Sequence, residues 1–324
     1  MGKTTSESDD AHQVFSNAMQ VKVSVVLPTY NRSASVVDAA RSVLQQSFRD
    51  LELLIVDDAS SEDIEAVVAG LGDARVRYLR HEKNAGAAAA RNTGVAAAQG
   101  ELIAFQDSDD LWLPGKLARQ VALLEAQGPD VGVVTGCKVL YGRDLARVYG
   151  PGRVACAPDP GRLLRLDEDQ LKRSLLDCRI SLQNALFRRD CVPAGPWFDA
   201  TFRANEDWDF TIRLAQNTLV LEDAEPVVFA QISHDSISID PRAAARSYIR
   251  LLRKHRETFA GYPREQGEFL FLLGRRLIAC GRKRIGRRVL LRSLSIRPQN
   301  GLKLGGALLR RALAVPGRLV RETG

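Results

Sequence analysis

The stretch AFQDSDDLW, residues 104–112, decides how the rest of the chain is interpreted. It begins inside the mostly apolar run 102–106, which is typical of a buried strand. Three aspartates then fall within four positions, and a buried strand does not keep uncompensated carboxylates at its end. Because Asp107 and Asp109 are two residues apart, both can reach one hard divalent cation, Mn²⁺ or Mg²⁺. The alternative is an acidic turn that caps a helix beginning near Leu113.

The composition is that of a globular protein with room for one large α/β domain and a smaller appendage. The chain has 324 residues, of which 45% are hydrophobic and 26% charged. No apolar run reaches the roughly 18 residues of a membrane span. The start of the chain lacks the apolar core of a signal peptide, and the five cysteines are scattered with no C-x-x-C spacing. These features predict a cytoplasmic protein with a disordered tail at 1–20, without a zinc site or a disulfide framework.

Charge is divided unequally along the chain. Residues 242–324 hold 21 Lys and Arg against 4 Asp and Glu, a net charge of +17, whereas residues 1–241 hold 25 against 35, a net charge of −10. The composition changes at 239–241, so we expect a main domain at 21–238 and a basic α-helical region at 239–324. An acidic body with a basic tail indicates two functional surfaces.

Strand-like and helix-like segments alternate in the first hundred residues, which predicts a mostly parallel sheet flanked by helices. The predicted strands are 21–28, 51–56, 76–80 and 102–106, and the predicted helices are 35–46, 64–69 (capped by Ser61) and 84–98. Polar residues follow three of these strands: Thr29-Tyr30-Asn31, Asp57-Asp58 and Asp107 to Asp109. Since open α/β sheets bind ligands at the carboxyl ends of their strands, this edge is the predicted site.

Later segments are less regular. Helices are expected at 117–127, 211–215, 242–259, 266–280 and 283–296, and strands at 131–141, 181–187 and 227–232, with a loop-rich excursion at 142–169.

Five motifs resemble, in order and spacing, the successive motifs of family 2 glycosyltransferases. They are VSVVLPTYNR (23–32), LLIVDDASSED (53–63), NAGAAAARNTG (84–94), GELIAFQDSDD (100–110) and NEDWDF (205–210), and the resemblance covers about 21–235. Each motif alone is weak, but five in order are specific. The resemblance implies a GT-A fold (a Rossmann-like, mostly parallel mixed sheet flanked by helices), here with a C-terminal α-helical appendage. It also implies a nucleotide-diphosphate sugar donor of the UDP or dTDP type, a divalent metal and transfer with inversion.

Donor-binding roles follow from this resemblance. Tyr30 and Asp58 would bind the uracil or thymine by stacking and hydrogen bonding. The alternative is that Tyr30 packs in the core and Asp58 caps a helix at Ser60. A helix start favours the anionic diphosphate, and Arg91 either contacts that diphosphate or pairs with an aspartate. The remaining predicted donor residues are Pro28, Thr29, Asn31, Asn84, Gly86 and Asp107.

Metal binding is expected mainly from Asp109. Asp107 would share the metal or bind the ribose, and the cation would neutralise the leaving diphosphate. By resemblance, His234 would complete the metal site, with a structural role as its alternative. Asp110 is expected only to cap the next helix.

An inverting transfer also needs a base for the acceptor hydroxyl, and Asp207 matches that position in the family. Trp208 would desolvate Asp207 and raise its pKa. Glu206, Trp208 and Trp112 are the predicted acceptor-side residues, and Glu206 is not expected to act as a pair with Asp207. The alternative is an acidic helix start that suits the helix dipole.

The sequence therefore predicts a metal-dependent inverting transferase that adds one sugar to a glycan or lipid-linked acceptor in cell-surface polysaccharide synthesis. Processive synthases of the superfamily carry a Gln-x-x-Arg-Trp motif, but no tryptophan here follows an arginine. A catalytically silent nucleotide-sugar-binding relative is the alternative. A nucleotidyltransferase is less favoured, because the loop after the first strand, 28–32, contains no glycine.

The basic tail allows three interpretations. Its arginines favour peripheral contact with anionic lipid at the inner face of the membrane. Residues 273–300 also resemble a tetratricopeptide-like helical hairpin, which would make the tail a packing module. Nucleic-acid binding is the least favoured, because aromatic residues do not interleave the arginines.

Overall fold

The computed structural model describes residues 21–142, 155–192, 195–232 and 241–303. Within it the chain forms two compact units, 1–174 with 178–236, and 175–177 with 237–324. Several predictions lie outside the described residues: the tail at 1–20, His234, the domain boundary at 238 and residues 143–154 of the predicted excursion.

The described part of the first unit contains one mixed sheet of nine strands. The strands are β1 (Val23–Thr29), β2 (Leu51–Asp57), β3 (Val76–Arg80), β4 (Leu102–Phe105), β5 (Asp110–Trp112), β6 (Val131–Gly142), β7 (Ala155–Ala157), β8 (Ala185–Arg188) and β9 (Leu219–Ile232). Their order is β3-β2-β1-β4-β8-β6-β9-β5, with β7 on β6. The half β3-β2-β1-β4 is parallel, and β8 runs antiparallel to both β4 and β6.

Helices alternate with the strands of this sheet and cover its parallel half. They are α1 (Ser33–Leu44), α2 (Ile64–Ala69), α3 (Ala87–Ala97), α4 (Lys116–Glu125), α5 (Gln170–Ser174) and α6 (Glu206–Leu214). Every residue of β1 and β2 is buried, as expected for parallel strands covered on both faces. A Cβ on Gly94 would lie 2.3 Å from Val26 Cγ1, so α3 packs against β1 with no space for a side chain.

The sequence predicted the parallel half of the sheet and its helices correctly, but several local predictions were wrong. The predicted strand at 181–187 begins as a 3-10 helix, Leu182–Asn184, and only Ala185–Arg188 is a strand. Asp110 lies in β5, paired with Ala230, and α4 begins only at Lys116, so Asp110 does not cap that helix. The cap of α2 is Asp63 rather than Ser61, because its carboxylate accepts the Ala66 amide. The motif NEDWDF does not precede a helix but forms the first turns of α6.

The described part of the second unit is helical. It comprises α7 (Pro241–Lys254), α8 (Arg256–Gly261), α9 (Pro263–Ala279) and α10 (Lys283–Ile296). Helices α9 and α10 pack closely, since a Cβ on Gly286 would lie 2.7 Å from Gly274 O and 2.6 Å from Ile278 Cγ1. The Ser293 hydroxyl adds a hydrogen bond to Gly267 O at 2.7 Å.

Among the helices of the described segments, none has both the length and the apolar character needed to cross a bilayer.

Candidate functional site

The ends of β1 and β2 are joined by hydrogen bonds that fix the first loop of the site. The Asp58 amide donates to Thr29 O at 2.9 Å, and the Asn31 amide donates to Ser60 Oγ at 2.8 Å. Asn31 Oδ1 also accepts the Ser61 amide at 2.8 Å. Asn31 thereby holds the two loops together.

Tyr30 stands out from this edge with 48% of its surface exposed. The alternative that Tyr30 packs in the core is therefore wrong, and its ring is accessible for stacking. Pro28 and Thr29, which precede it and were also predicted to bind the donor, are buried within β1. Within the described residues the Thr29 hydroxyl has no hydrogen-bond partner.

Asp58 holds the loop that leads into α3. Its carboxylate accepts the amides of Ala85 at 2.9 Å and Gly86 at 2.7 Å, and Nδ1 of His81 lies 2.8 Å from Oδ1. The predicted alternative, a cap at Ser60, is wrong for Asp58. The neighbouring Asp57 accepts the Ser60 amide instead.

The start of α3 combines a glycine of positive φ with a nearby arginine side chain. Gly86 has a φ of 93°, a conformation that favours glycine, and it precedes the first helical residue. Nη1 of Arg203 is 3.5 Å from the position that a Cβ on Gly86 would take. Asn84 is exposed and donates to Asp58 O at 3.3 Å. An anionic group would be favoured here by the helix dipole and by Arg203.

Arg91 connects the end of β4 with the start of α6. Its Nη2 donates to Asp107 Oδ1 at 2.9 Å and its Nη1 donates to Glu206 Oε1 at 2.8 Å. Arg91 is 7% exposed, and its Nε has no partner in the described segments. Of the two predicted alternatives, the structure shows the one in which Arg91 pairs with an aspartate.

The three aspartates of the stretch 104–112 differ in their surroundings. Burial raises the pKa of Asp109, and the charge of Asp107 raises it further, while Arg32 lowers it. Burial, followed by the charge of Asp107, raises the pKa of Asp110 to about 7. Asp110 Oδ2 accepts a hydrogen bond from Gln183 at 2.9 Å, so this carboxyl belongs to the interior.

The donor set at this point fits a divalent metal in part. Asp107 and Asp109 offer hard oxygen ligands, and their mutual repulsion, which raises the pKa of Asp109, would be relieved by a cation. Asp109 Oδ2 already has Arg32 at 4.0 Å. Within the described residues, no cluster of three or more His, Cys, Asp and Glu side chains is arranged around a common point.

Asp207 lies in the first turn of α6, and its pKa is raised above the ordinary value for an aspartate. Burial and then the charge of Glu206 raise the pKa of Asp207 to about 6, against a lowering effect of Arg91. Although Glu206 and Asp207 were not expected to act as a pair, the charge of Glu206 contributes to the raised pKa of Asp207. Lys138 lowers the pKa of both Asp207 and Asp110, which indicates that the predicted base and the acidic stretch share one neighbourhood.

The two predicted acceptor-side tryptophans are buried. Trp112 is 3% exposed and donates to Gln183 O, and Trp208 is 4% exposed and donates to Ser174 O at 2.7 Å. This burial argues for a packing role rather than an acceptor-facing one. Glu206, by contrast, is partly exposed.

Four residues near the site were missed by sequence reasoning: Arg32, His81, Lys138 and Arg203. His81 directly follows β3, so the strand-end rule that selected Tyr30 also applies to it. Lys138 and Arg203 carry no local signal, because only the fold brings them to the site.

Solved structures show that this architecture is the GT-A fold, as predicted. The mannosyltransferase PcManGT from Pyrobaculum calidifontis, in complex with GDP-Man and Mn²⁺, superposes with a TM-score of 0.59 at 18% identity, covering 91% of this chain and 81% of that one. TarS 1–349 of S. aureus in complex with UDP gives 0.52 at 17% identity, covering 87% and 92%. At these identities the likeness shows the fold alone.

Sequence comparison gives the family. The profile of "Glycosyl transferase family 2" matches residues 24–178. The colanic acid biosynthesis glycosyl transferase WcaA of Escherichia coli is 29% identical over 303 residues. These residues are 88% of this chain and 97% of that protein. The E. coli glucosyltransferase WfgD is 40% identical over 102 residues, 32% of this chain and 40% of its own length. Residues 24–178 match glycosyl transferase family 2, so the predicted resemblance is confirmed.

Proposed function

We propose that this family 2 enzyme transfers one sugar, with inversion, from a UDP- or dTDP-sugar to a hydroxyl of a glycan or lipid-linked acceptor in cell-surface polysaccharide synthesis. The observation that carries the proposal is the bridge made by Arg91. Its ion pairs with Asp107 and Glu206 join the strand end predicted to bind the donor to the helix that bears Asp207. Donor and base would therefore meet at one edge of the sheet.

Donor binding would use the exposed ring of Tyr30 for the base and the start of α3 for the diphosphate. Backbone amides at a helix start, together with the Arg203 guanidinium, suit two phosphate groups. Similar proteins support this donor class. WfgD is described as using UDP-Glc, and TarS has been solved with UDP and with UDP-GlcNAc.

Asp109 and Asp107 would hold the proposed Mn²⁺ or Mg²⁺, together with His234. The cation would supply positive charge to the diphosphate as it leaves. A Mn²⁺ complex of the structural neighbour PcManGT supports the choice of metal. Arg91 would keep Asp107 oriented while the donor binds.

Asp207 would take the proton from the acceptor hydroxyl, which would attack the anomeric carbon on the face opposite the leaving nucleotide. A carboxylate whose pKa is raised to about 6 is a stronger base than an ordinary one and is still ionised at neutral pH. We propose a single addition for each acceptor, at the cytoplasmic side of a membrane that carries the lipid-linked acceptor. WfgD supports this acceptor class, since its name includes a diphosphoundecaprenol acceptor.

The test is a screen of UDP- and dTDP-sugars with Mn²⁺ and diphosphoundecaprenol-linked sugars, comparing the wild type with Asp207→Asn. Loss of the base should lower transfer by about a hundred-fold to ten-thousand-fold while donor affinity changes little. Asp38→Asn, an exchange of the same kind on α1, is the control. Donor binding with no turnover by the wild type on any acceptor would favour a silent nucleotide-sugar-binding protein. Unchanged transfer by the variant would remove Asp207 as the base.

A further inference from the structure

Helix α10 in the second unit has one packed face and one exposed face. Gly286, Leu290 and Ser293 are buried, and a Cβ on Gly274 of α9 would lie 2.7 Å from Leu290 Cγ. The exposed surface is defined by cations and two apolar residues and is called the basic face below. It consists of Arg284, Ile285, Arg287, Arg288, Leu291 and Arg292.

The guanidinium groups of the basic face have no protein partner within the described residues. None of its four arginine side chains makes a hydrogen bond, an ion pair or a ring contact there. Residues 241–303 contain 17 Lys and Arg but only three acidic residues. Glu257 pairs with Arg256, Glu268 pairs with Arg297 and Lys303, and Glu265 is buried. No acidic side chain among residues 241–303 is left to neutralise α10.

Apolar side chains are exposed among these charges. Leu291 is 66% exposed and Ile285 is 49% exposed, both large values for aliphatic residues. A helix surface that combines unpaired arginines with exposed leucine and isoleucine suits an interface where anionic groups and hydrocarbon occur side by side. The headgroup region of an anionic bilayer is such an interface.

We propose that the basic face of α10 binds the surface of an anionic lipid membrane, an inference that rests on the lipid-linked acceptor of the proposed function. The arginines would contact lipid phosphates, while Leu291 and Ile285 would enter the boundary of the acyl chains. Docking would hold the enzyme on the surface that carries its acceptor. It would raise the local concentration of that acceptor without any new contact at the catalytic edge.

Other occupants fit this face less well. Nucleic acid would use the arginines but gain nothing from Leu291, and the face offers no aromatic ring for base stacking. A second copy would bring the same positive charge against it. The segment 304–324 holds four Arg and one Glu, so its charge has the same sign.

The test is flotation of the full chain with vesicles of phosphatidylcholine alone or mixed with phosphatidylglycerol. The wild type should float only with the anionic vesicles, and added salt should weaken its binding. The variant R284Q/R287Q/R288Q/R292Q should lose binding by at least about a hundred-fold. The matched control R242Q/R253Q/R256Q/R264Q removes the same charge from α7, α8 and α9, and it should lose much less. Equal losses in the two variants would overturn the assignment to α10.

A second pair of variants tests the apolar part of the basic face. Leu291→Gln should weaken vesicle binding by about ten-fold, because one aliphatic side chain no longer enters the bilayer. Leu302→Gln is the matched control, since Leu302 is 80% exposed but lies outside α10. If Leu291→Gln binds like the wild type while the arginine variant does not, α10 attracts a polyanion without inserting, and the membrane assignment is wrong.

Two further measurements separate this proposal from the proposed function. Donor binding is followed by titration with UDP and Mn²⁺, which needs no vesicles. Normal donor binding without flotation would overturn the docking proposal alone, whereas flotation without donor binding would overturn the proposed function alone. Two further results would overturn the docking proposal. One is tighter binding to a single-stranded oligonucleotide than to anionic vesicles, and the other is a dimer that dissociates in R284Q/R287Q/R288Q/R292Q.

Discussion

Asp207 is a carboxylate whose environment suits it to accept a proton near neutral pH. Burial and the charge of Glu206 raise its pKa to about 6. A base works only when it is ionised, so we expect kcat/KM for transfer to fall as the pH drops through about 6. The measurement is a pH profile of kcat/KM at saturating metal. An ordinary aspartate titrates at about 4. A value of kcat/KM that stays constant between pH 5 and pH 7 would contradict a pKa of about 6 for Asp207.

The contribution of Glu206 is separable from that of burial. Glu206→Gln removes a negative charge beside Asp207 and keeps an oxygen that accepts from Arg91. We expect the acidic limb of the kcat/KM profile to move to lower pH, because the loss of a like charge lowers the pKa of Asp207. Glu65→Gln, an exposed change in the first turn of α2, should leave the limb in place. A limb that stays unchanged in Glu206→Gln would show that burial alone sets this pKa.

The positions of the acidic residues could be predicted from the sequence, but their bonding partners could not. The apolar runs predicted that Asp57, Asp58, Asp107 and Asp109 end buried strands, because hydrophobic patterning is a local signal. It did not predict that Asp57 is tied to Arg80, whereas Asp58 holds the amides of the loop before α3. Those partners come from distant positions, so they are a property of the fold.

At the scale of single elements, α4 carries a lysine that is removed from water. Lys116 is 1% exposed, donates to Gln120 Oε1 at 2.6 Å, and its ammonium lies 4.2 Å from the centre of the Trp112 ring. Burial lowers the pKa of Lys116 well below its usual 10.5. The unfolded chain therefore binds up to one proton more than the folded chain at pH values between the lowered pKa and 10.5.

This difference in proton binding predicts that stability depends on pH. Between the lowered pKa and 10.5, the contribution of Lys116 to the free energy of unfolding should rise with pH, by up to about 1.4 kcal/mol per pH unit. The change to test is Lys116→Met, which removes this slope. The measurement is urea unfolding followed by tryptophan fluorescence, since all three tryptophans lie in the first unit. Lys83→Met, an exposed change, is the control, and parallel slopes in wild type and Lys116→Met would contradict the assignment.

Helices α9 and α10 depend on a close approach at two glycines. A Cβ on Gly286 would lie 2.7 Å from the Gly274 carbonyl oxygen, a backbone atom that cannot move away alone. Gly286→Ala should therefore separate the helices and destabilise the second unit by about 1–3 kcal/mol. Gly261→Ala is the control, because a Cβ at that position of α8 meets nothing within 4 Å. The measurement is thermal unfolding by far-UV circular dichroism, and equal melting temperatures for the two variants would contradict this packing.

Elements whose signal is local were predicted, and those defined by long-range pairing were not. The strands β1 to β4 and the helices α1 to α3 follow from runs and periodicity of the residues themselves. The three-residue strand β5 exists because Asp110 to Trp112 pair with β9, more than a hundred positions away in the sequence. The start of α6 was placed too late, because the acidic residues at 206, 207 and 209 obscure the helical pattern whose core-facing members are Phe210 and Leu214.

At the scale of the whole molecule, the division into two units predicts which part of the chain is stabilised by donor binding. A ligand stabilises only the state that binds it, by about 2.7 kcal/mol when its concentration is a hundred times its dissociation constant. With UDP and Mn²⁺ at that level, we expect amides of β1, β2 and β4 that exchange by unfolding of the first unit to slow by about a hundred-fold.

Amides of α9 and α10 should keep their exchange rates, because they belong to the second unit. The measurement is hydrogen–deuterium exchange of the full chain, resolved by peptide, with Mn²⁺ alone as the control. Equal slowing in α10 would show that the chain unfolds as one cooperative body and that the two units are not energetically separate. No slowing in β1, β2 and β4 would contradict nucleotide binding at the strand ends. The first outcome bears on the architecture and the second on the function, so one experiment distinguishes them.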